Sequence, residues 1–161
     1  MSLLDVFHQR RAVRGFVQKP IPVEVWQDVL EAGRVAATSR GRQARRFVTI
    51  TDPAHVAQLA KEAQMQEFVQ QASALVIGCT PGPSNVDVII SLTQMETMAV
   101  AHGLGTIWLG TFDREVVSRQ INLPEELQPV LVMAFGYAAE AGAQKEKLPV
   151  SELFFENSFP G

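Results

Sequence analysis

A single cysteine, Cys79, stands among the 161 residues, and the three histidines are scattered at positions 8, 55 and 102. That scarcity excludes an internal disulfide and every Cys-rich zinc pattern. It fits a reducing cytoplasm, with Cys79 an inert thiol inside a strand and each lone histidine a surface or structural residue. No long uninterrupted apolar run is present either. The most apolar stretch, residues 86–104, is broken by Asp87, Gln94, Glu96 and His102, each costly in hydrocarbon, so it predicts a buried helix and not a membrane span. The N-terminus lacks the basic start and long apolar segment of a secretory signal. Missing too are a nucleophile elbow, a phosphate-cradling loop ending in Gly-Lys-Ser/Thr, paired histidines on one helix face and a Gly-x-Gly-x-x-Gly turn. With 47% hydrophobic and 19% charged positions, the chain is expected to form one domain over residues 1–161.

Charge is unevenly placed. Residues 1–46 carry Lys19 and eight arginines against four acids, a net +5, whereas the remainder carries −8 within an overall −3. The front of the chain is therefore built to meet an anion. A small phosphorylated ligand needs two or three converging cations, and arginine's planar fork suits phosphate. A nucleic acid would use a broader stripe.

Apolar spacing predicts helices over residues 2–9, capped by Ser2, and 23–35, with Pro22 as a first-turn residue. A small, polar loop at 36–44 leads into a strand at 47–51. Asp52-Pro53 opens a helix expected over 54–71. The continuous apolar run 74–79 reads as a strand covered on both faces. A long helix at 85–102, capped by Asn85, a strand at 106–109, a helix at 113–121 and a buried strand at 130–135 follow. The order α, α, β, α, β, α, β, α, β predicts a sheet of about four strands with helices on both faces, parallel or mixed character being unreadable from spacing. The last segment, residues 145–161, is too apolar for a free tail and is expected to pack on a neighbour, a partner chain being one candidate.

One cluster carries chemistry. Arg10-Arg11-Ala12-Val13-Arg14-Gly15-Phe16 places three guanidinium groups just beyond a helix, where solvated arginines beside a helix C-terminus are the plain alternative. Together with Phe16 this segment resembles the Arg-Arg-Ser-Val-Arg-x-Phe signature of the nitroreductase family of flavin mononucleotide (FMN) enzymes. Residues 36–47, Ala-Ala-Thr-Ser-Arg-Gly-Arg-Gln-Ala-Arg-Arg-Phe, are similar to that family's Ala-Pro-Ser-x-x-Asn-x-Gln-Pro-Trp-x-Phe loop and strand. Gly103-Leu104-Gly105-Thr106-Ile107-Trp108-Leu109-Gly110, Leu123-Pro124-Glu125-Glu126, Phe135-Gly136-Tyr137 and Lys147-Leu148-Pro149-Val150-Ser151-Glu152 continue the likeness in the family's order.

The resemblance implies an α+β sheet flanked by helices, in a domain-sharing homodimer with a flavin at each interface site. It implies an NAD(P)H-dependent oxidoreductase that carries hydride from NADH or NADPH through FMN to a nitroaromatic, quinone or similar electron-poor acceptor. Carried over residue by residue, Arg10, Arg11 and Lys147 hold the flavin phosphate and ribityl chain, beside position 12. Arg14 sits on the pyrimidine side of the flavin ring, where it tunes the reduction potential as a fixed cation; no side chain is a catalytic acid or nucleophile. Trp108, Leu109, Gly110 and Thr111 match a strand end whose backbone approaches the ring, and Thr38, Ser39 and Gln43 match a loop reaching the flavin from the second subunit. Ala12 stands where the family has serine, Gly41 where it has asparagine, and Ala44 and Arg45 where it has Pro-Trp, which lowers the expected flavin affinity. Arginines 40, 42, 45 and 46 are read as a solvated basic rim, with a contact to the 2′-phosphate of NADPH as the alternative. The expected partners are a small-molecule acceptor and a second copy, with no metal, nucleic acid or membrane. The competing readings are a flavin-binding protein of the same fold with little turnover, and a nucleotide- or nucleic-acid-binding regulator using the arginine-rich front half.

Overall fold

Alternation of side chains along two central strands sets the layers. In the computed structural model, which describes residues 2–159, β3 (Ala74–Thr80) is buried at every position. Its neighbours in sequence point to opposite faces. Leu75 and Ile77 join a core with Val56, Leu59, Val69 and Val117, while Ala74 and Val76 join another with Val29, Leu92, Met95 and Phe135. The first core is roofed by α3 (Pro53–Glu62) and α5 (Arg114–Gln120), the second by α2 (Val23–Arg34) and α4 (Val86–Ala101). Helices thus cover both faces, as the alternating order predicts.

Among the described residues the sheet has five strands, one more than predicted. The extra one, β1 (Phe16–Val17), is two residues long and leaves no alternation to read. The longest strand, β5 (Gln128–Ala138), is the hub: it pairs with β3 from Ala74↔Phe135 to Thr80↔Gln128, with β4 (Gly105–Leu109) from Gly105↔Gly136 to Leu109↔Val132, and with β1 at Phe16↔Ala138. The edge strand β2 (Arg46–Ile50) pairs with β3. All of these ladders are antiparallel, and the parallel contact is an isolated bridge, Ala12↔Thr106.

Several boundaries differ from the sequence reading. The helix expected over 54–71 ends at Glu62, because Gln64 turns left-handed at φ 55 and a 3₁₀ turn takes over at Glu67–Gln71. Asn85 precedes α4 but its side chain makes no capping bond. Pro22 is the N-cap of α2 and lies outside its first turn. In α2 and α4, close approach needs Gly33: a Cβ there would lie 2.7 Å from Met95 Cγ and Sδ. The apolar tail, described to residue 159, contains the short α6 (Val150–Leu153). Within the single chain it stays exposed, Val150, Phe154 and Phe159 each by more than 70%, so the neighbour it was expected to pack on is not another part of this chain. Positions 1, 160 and 161 of the expected domain and tail lie outside the described residues. Among the described residues no helix is long and apolar enough to cross a membrane.

Candidate functional site

The first helix, α1 (Leu3–Gln9), delivers the arginine cluster. Ser2 and Asp5 form a reciprocal capping box at its start, the Asp5 amide donating to Ser2 Oγ and the Ser2 amide to Asp5 Oδ2. The pair holds the Asp5 carboxyl below its usual range, first through the Ser2 backbone bond. At the other end Arg11 Nη1 donates to the carbonyls of His8 (2.5 Å) and Arg10 (2.9 Å), which satisfies part of the helix terminus. Beyond it, the Val13 amide donates to the Thr106 carbonyl at 2.9 Å, tying the segment to β4. The chain leaving β5 returns across this segment: the Ala139 amide donates to the Gly15 carbonyl. A Cβ on Gly142 would stand 2.8 Å from both the Ala12 carbonyl oxygen and Arg11 Cβ. Only a glycine allows so close a pass, and it carries Lys145 and Lys147 over the arginines.

The result is a cavity of about 250 Å³ lined by Arg10, Arg11, Arg14, Lys145 and Lys147, with Ala12 in its wall. A second cavity of about 390 Å³ shares Ala12, Arg14 and Ala143 with it. Among the described residues one ion pair engages these cations, that of Arg10 Nη1 with Glu96 Oε1 at 3.6 Å. Glu96 belongs to α4 and is 6% exposed; the same oxygen accepts a 2.8 Å hydrogen bond from the buried Thr106 hydroxyl. A cluster of like charges around an empty volume is unfavourable by itself and becomes favourable when a multivalent anion enters.

Other site residues expected from sequence lie outside this cavity. Leu109 is buried in the first core and Trp108 packs on the second. Gly110 and Thr111 follow at the exposed end of β4, and space above Gly110 is open, no atom beyond its immediate chain neighbours lying within 4 Å of where a Cβ would be. Thr38, Ser39 and Gln43 sit on a separate loop. There the Ser39 amide donates to Asp87 Oδ1 and the Gln43 amide to Thr38 Oγ1, with Arg40, Gly41 and Gln43 all left-handed.

One reading is corrected. Arg45 is 8% exposed and no part of a solvated rim. Its Nε donates to Ser91 Oγ at 2.5 Å, and its Nη2 lies 3.1 Å from the carbonyls of Gly33, Arg34 and Ala36. It caps the C-terminus of α2, where the helix dipole favours a cation. Arg40, Arg42 and Arg46 are exposed, as a rim requires.

Among the other titratable candidates, His8 also lines the cavity, whereas His102 and Cys79 are structural. His102 Nε2 lies 2.9 Å from Asp28 Oδ2, joining the end of α4 to α2. Burial pushes the Cys79 thiol up to about 11, so it holds its proton at neutral pH. Among the described residues no group of three potential ligands can hold a metal ion. Lys145 was not read as a site residue, and Glu96 only as a break in the most apolar stretch. Lys145 has no pattern to mark it, but Glu96 was signalled by being the one acid beside Met95, Ala99 and Val100 on the inner face of an apolar helix.

Comparison with known proteins follows the same outline. An NADPH-dependent oxidoreductase of Staphylococcus epidermidis is 26% identical over 184 residues, an alignment covering 96% of this chain and 73% of the relative. The FMN reductase (NADPH) of Bacillus subtilis is 20% identical over 185 residues, covering 98% and 74%. Among solved structures, a nitroreductase family protein from Clostridium difficile superposes with a TM-score of 0.87 at 20% identity, over 99% of this chain and 100% of that one. The NADPH:FMN oxidoreductase of Vibrio harveyi complexed with NAD+ gives 0.87 at 23% identity, over 99% and 78%. These structures show that the fold is shared. A family model described as "Putative TM nitroreductase" matches residues 2–159, and the chain belongs to the nitroreductase family.

Proposed function

We propose that this protein is an NAD(P)H-dependent FMN oxidoreductase whose acceptor is a nitroaromatic, a quinone or a similarly electron-poor small molecule. The observation that carries this reading is the convergence of Arg10, Arg11, Arg14, Lys145 and Lys147 on one cavity, a donor set suited to a phosphate dianion. The oxidoreductase and FMN reductase relatives support it. Bound FMN supplies the redox chemistry, so the chain needs no catalytic acid or nucleophile. Its residues bind and tune. Arg10, Arg11, Lys145 and Lys147 hold the phosphate; the open backbone at Gly110 leaves room for a planar ring; and Arg14 adds positive charge beside the part of the ring that becomes negative on reduction. Thr38, Ser39 and Gln43, which lie away from the cavity in one chain, reach the flavin from a second copy in a homodimer that also covers the apolar tail. A cytoplasmic location is part of this reading, supported by the single free cysteine and the use of NAD(P)H. The regulator reading loses weight because Arg45 is turned inward and Arg10, Arg11 and Arg14 line a compact cavity.

Adding FMN to the apoprotein is expected to quench flavin fluorescence to a stoichiometry of one FMN per chain, in a species that sediments as a dimer. A protein that takes up no FMN, or binds it as a monomer, refutes the corresponding part of the proposal. Gly142→Ala is expected to weaken FMN binding about tenfold while leaving the melting temperature nearly unchanged, because the clash it creates with the Ala12 carbonyl displaces the lysine segment and not the core. Arg14→Gln is expected to lower the midpoint potential of bound flavin. Arg14 is exposed, and screening leaves on the order of 1 kcal/mol, or about 20 mV for a two-electron couple. Redox titration of both proteins checks the shift, and an unchanged potential places Arg14 away from the ring.

A further inference from the structure

We propose that Glu96 sets how tightly the arginine–lysine cavity holds a phosphate monoester, acting as a built-in counter-charge that weakens the site by occupying Arg10. The inference rests on the FMN reading and concerns a residue that does not line the cavity. Three observations carry it. Glu96 is buried in the middle of α4, the one charged side chain on an inner face that is otherwise apolar but for Ser91. Its Oε1 is fixed by the Thr106 hydroxyl at 2.8 Å, so the carboxylate cannot swing away. And the same oxygen lies 3.6 Å from Arg10 Nη1, the one ion pair that engages the cavity's cations among the described residues.

A carboxylate behind a phosphate-binding guanidinium has two opposed effects. It orients the guanidinium, which aids binding, and it offsets the guanidinium's charge, which opposes binding of a dianion. Orientation adds little here. At 3.6 Å the pair is a charge contact and not a hydrogen-bonded fork that would hold the guanidinium in one geometry. The offset is the larger effect, because a buried carboxylate is poorly screened and takes up charge on Arg10 that a dianion would otherwise meet. Arg10 is therefore shared between Glu96 and the ligand, and phosphate affinity stays below what five cations alone would give. A cofactor held this way remains exchangeable.

The test is Glu96→Gln, whose amide oxygen still accepts from Thr106 while the charge is gone. FMN, riboflavin and inorganic phosphate are titrated against the wild type, Glu96→Gln, Arg10→Ala and the double variant. Expected is an FMN dissociation constant about tenfold lower in Glu96→Gln, a parallel gain for inorganic phosphate as competitor, no change for riboflavin, and no gain when Arg10 is alanine. Unchanged or weaker FMN binding overturns the proposal, as does an equal shift for riboflavin, which marks a packing effect. If Glu96→Gln does not fold, Glu96→Met combined with Thr106→Val removes charge and hydroxyl together, an exchange that leaves no orphaned polar group, and the same tenfold gain is expected. A wild type that binds neither FMN nor riboflavin sinks the FMN reading alone. The effect of Glu96 is then read from stabilisation by inorganic phosphate, greater in Glu96→Gln if the inference holds and equal if it fails.

Discussion

Arg45→Ala is expected to destabilise the protein by about 3–5 kcal/mol, lowering the melting temperature by roughly 10 °C or more for a chain of this size. Arg45 is buried and has no carboxylate partner among the described ion pairs. Its stabilisation comes from Ser91 Oγ and the carbonyls of Gly33, Arg34 and Ala36. Truncation leaves three carbonyls at the C-terminus of α2 without that donor, opens a cavity the size of a guanidinium group, and removes a cation from the negative end of the helix dipole. Arg45→Lys keeps the charge but cannot reach the spread of acceptors that a planar fork spans, so it is expected to recover less than half of the loss. Arg46→Ala, its exposed neighbour, is the control and should melt near the wild type. Thermal and urea unfolding measure all three. An Arg45→Ala protein melting within about 2 °C of wild type would mean that these carbonyls are satisfied equally well by water.

The second large effect is on ligand binding. Arg10→Ala is expected to weaken FMN about a hundredfold, because a charge-assisted bond to a dianion contributes up to roughly 3 kcal/mol. Its melting temperature should fall by only a few degrees. Glu96 keeps its Thr106 hydrogen bond, and the arginine it loses is part-exposed. Riboflavin, which lacks the phosphate, should bind Arg10→Ala as it binds the wild type. Equilibrium titration of both flavins, with a melting curve of the apoprotein, separates the outcomes. An unfolded apoprotein with retained FMN affinity would make Arg10 a structural residue.

What the sequence made legible depended on whether a local pattern determined the outcome. The apolar run of β3 and the 3.6-residue spacing of α2 and α4 are local, and their elements formed close to where they were expected. The arginines at 10, 11 and 14 were legible as a group because they are adjacent, and Lys147 through a resemblance of motifs. Arg45 shows the limit. In sequence it is one of several basic residues between 40 and 46, indistinguishable from its exposed neighbours. Its depth is decided by α2 ending where its carbonyls converge and by Ser91 arriving from α4, neither of which leaves a local trace. The antiparallel ladders were equally hidden, since helices between strands suit crossovers of either sense. The break at Gln64 is set by a backbone conformation for which glutamine is no signal.

The position of β5 has a consequence for how the chain acquires its shape. The strand that pairs with β1, β3 and β4 is the last of the sheet in sequence, spanning Gln128–Ala138. β1 must find its partner across most of the chain, from Phe16 to Ala138. Contacts of such long sequence separation close late and slowly. During synthesis, β2 can meet β3, but β1 and β4 have no partner strand until residue 138 has left the ribosome. The nascent protein therefore carries unpaired strands through most of its translation, and β5 closes the sheet in a single late event. In the finished fold the same centrality reverses its meaning. The amides of β5 are held from both sides, and hydrogen exchange there should require opening of the whole sheet, with protection approaching the global stability of the domain.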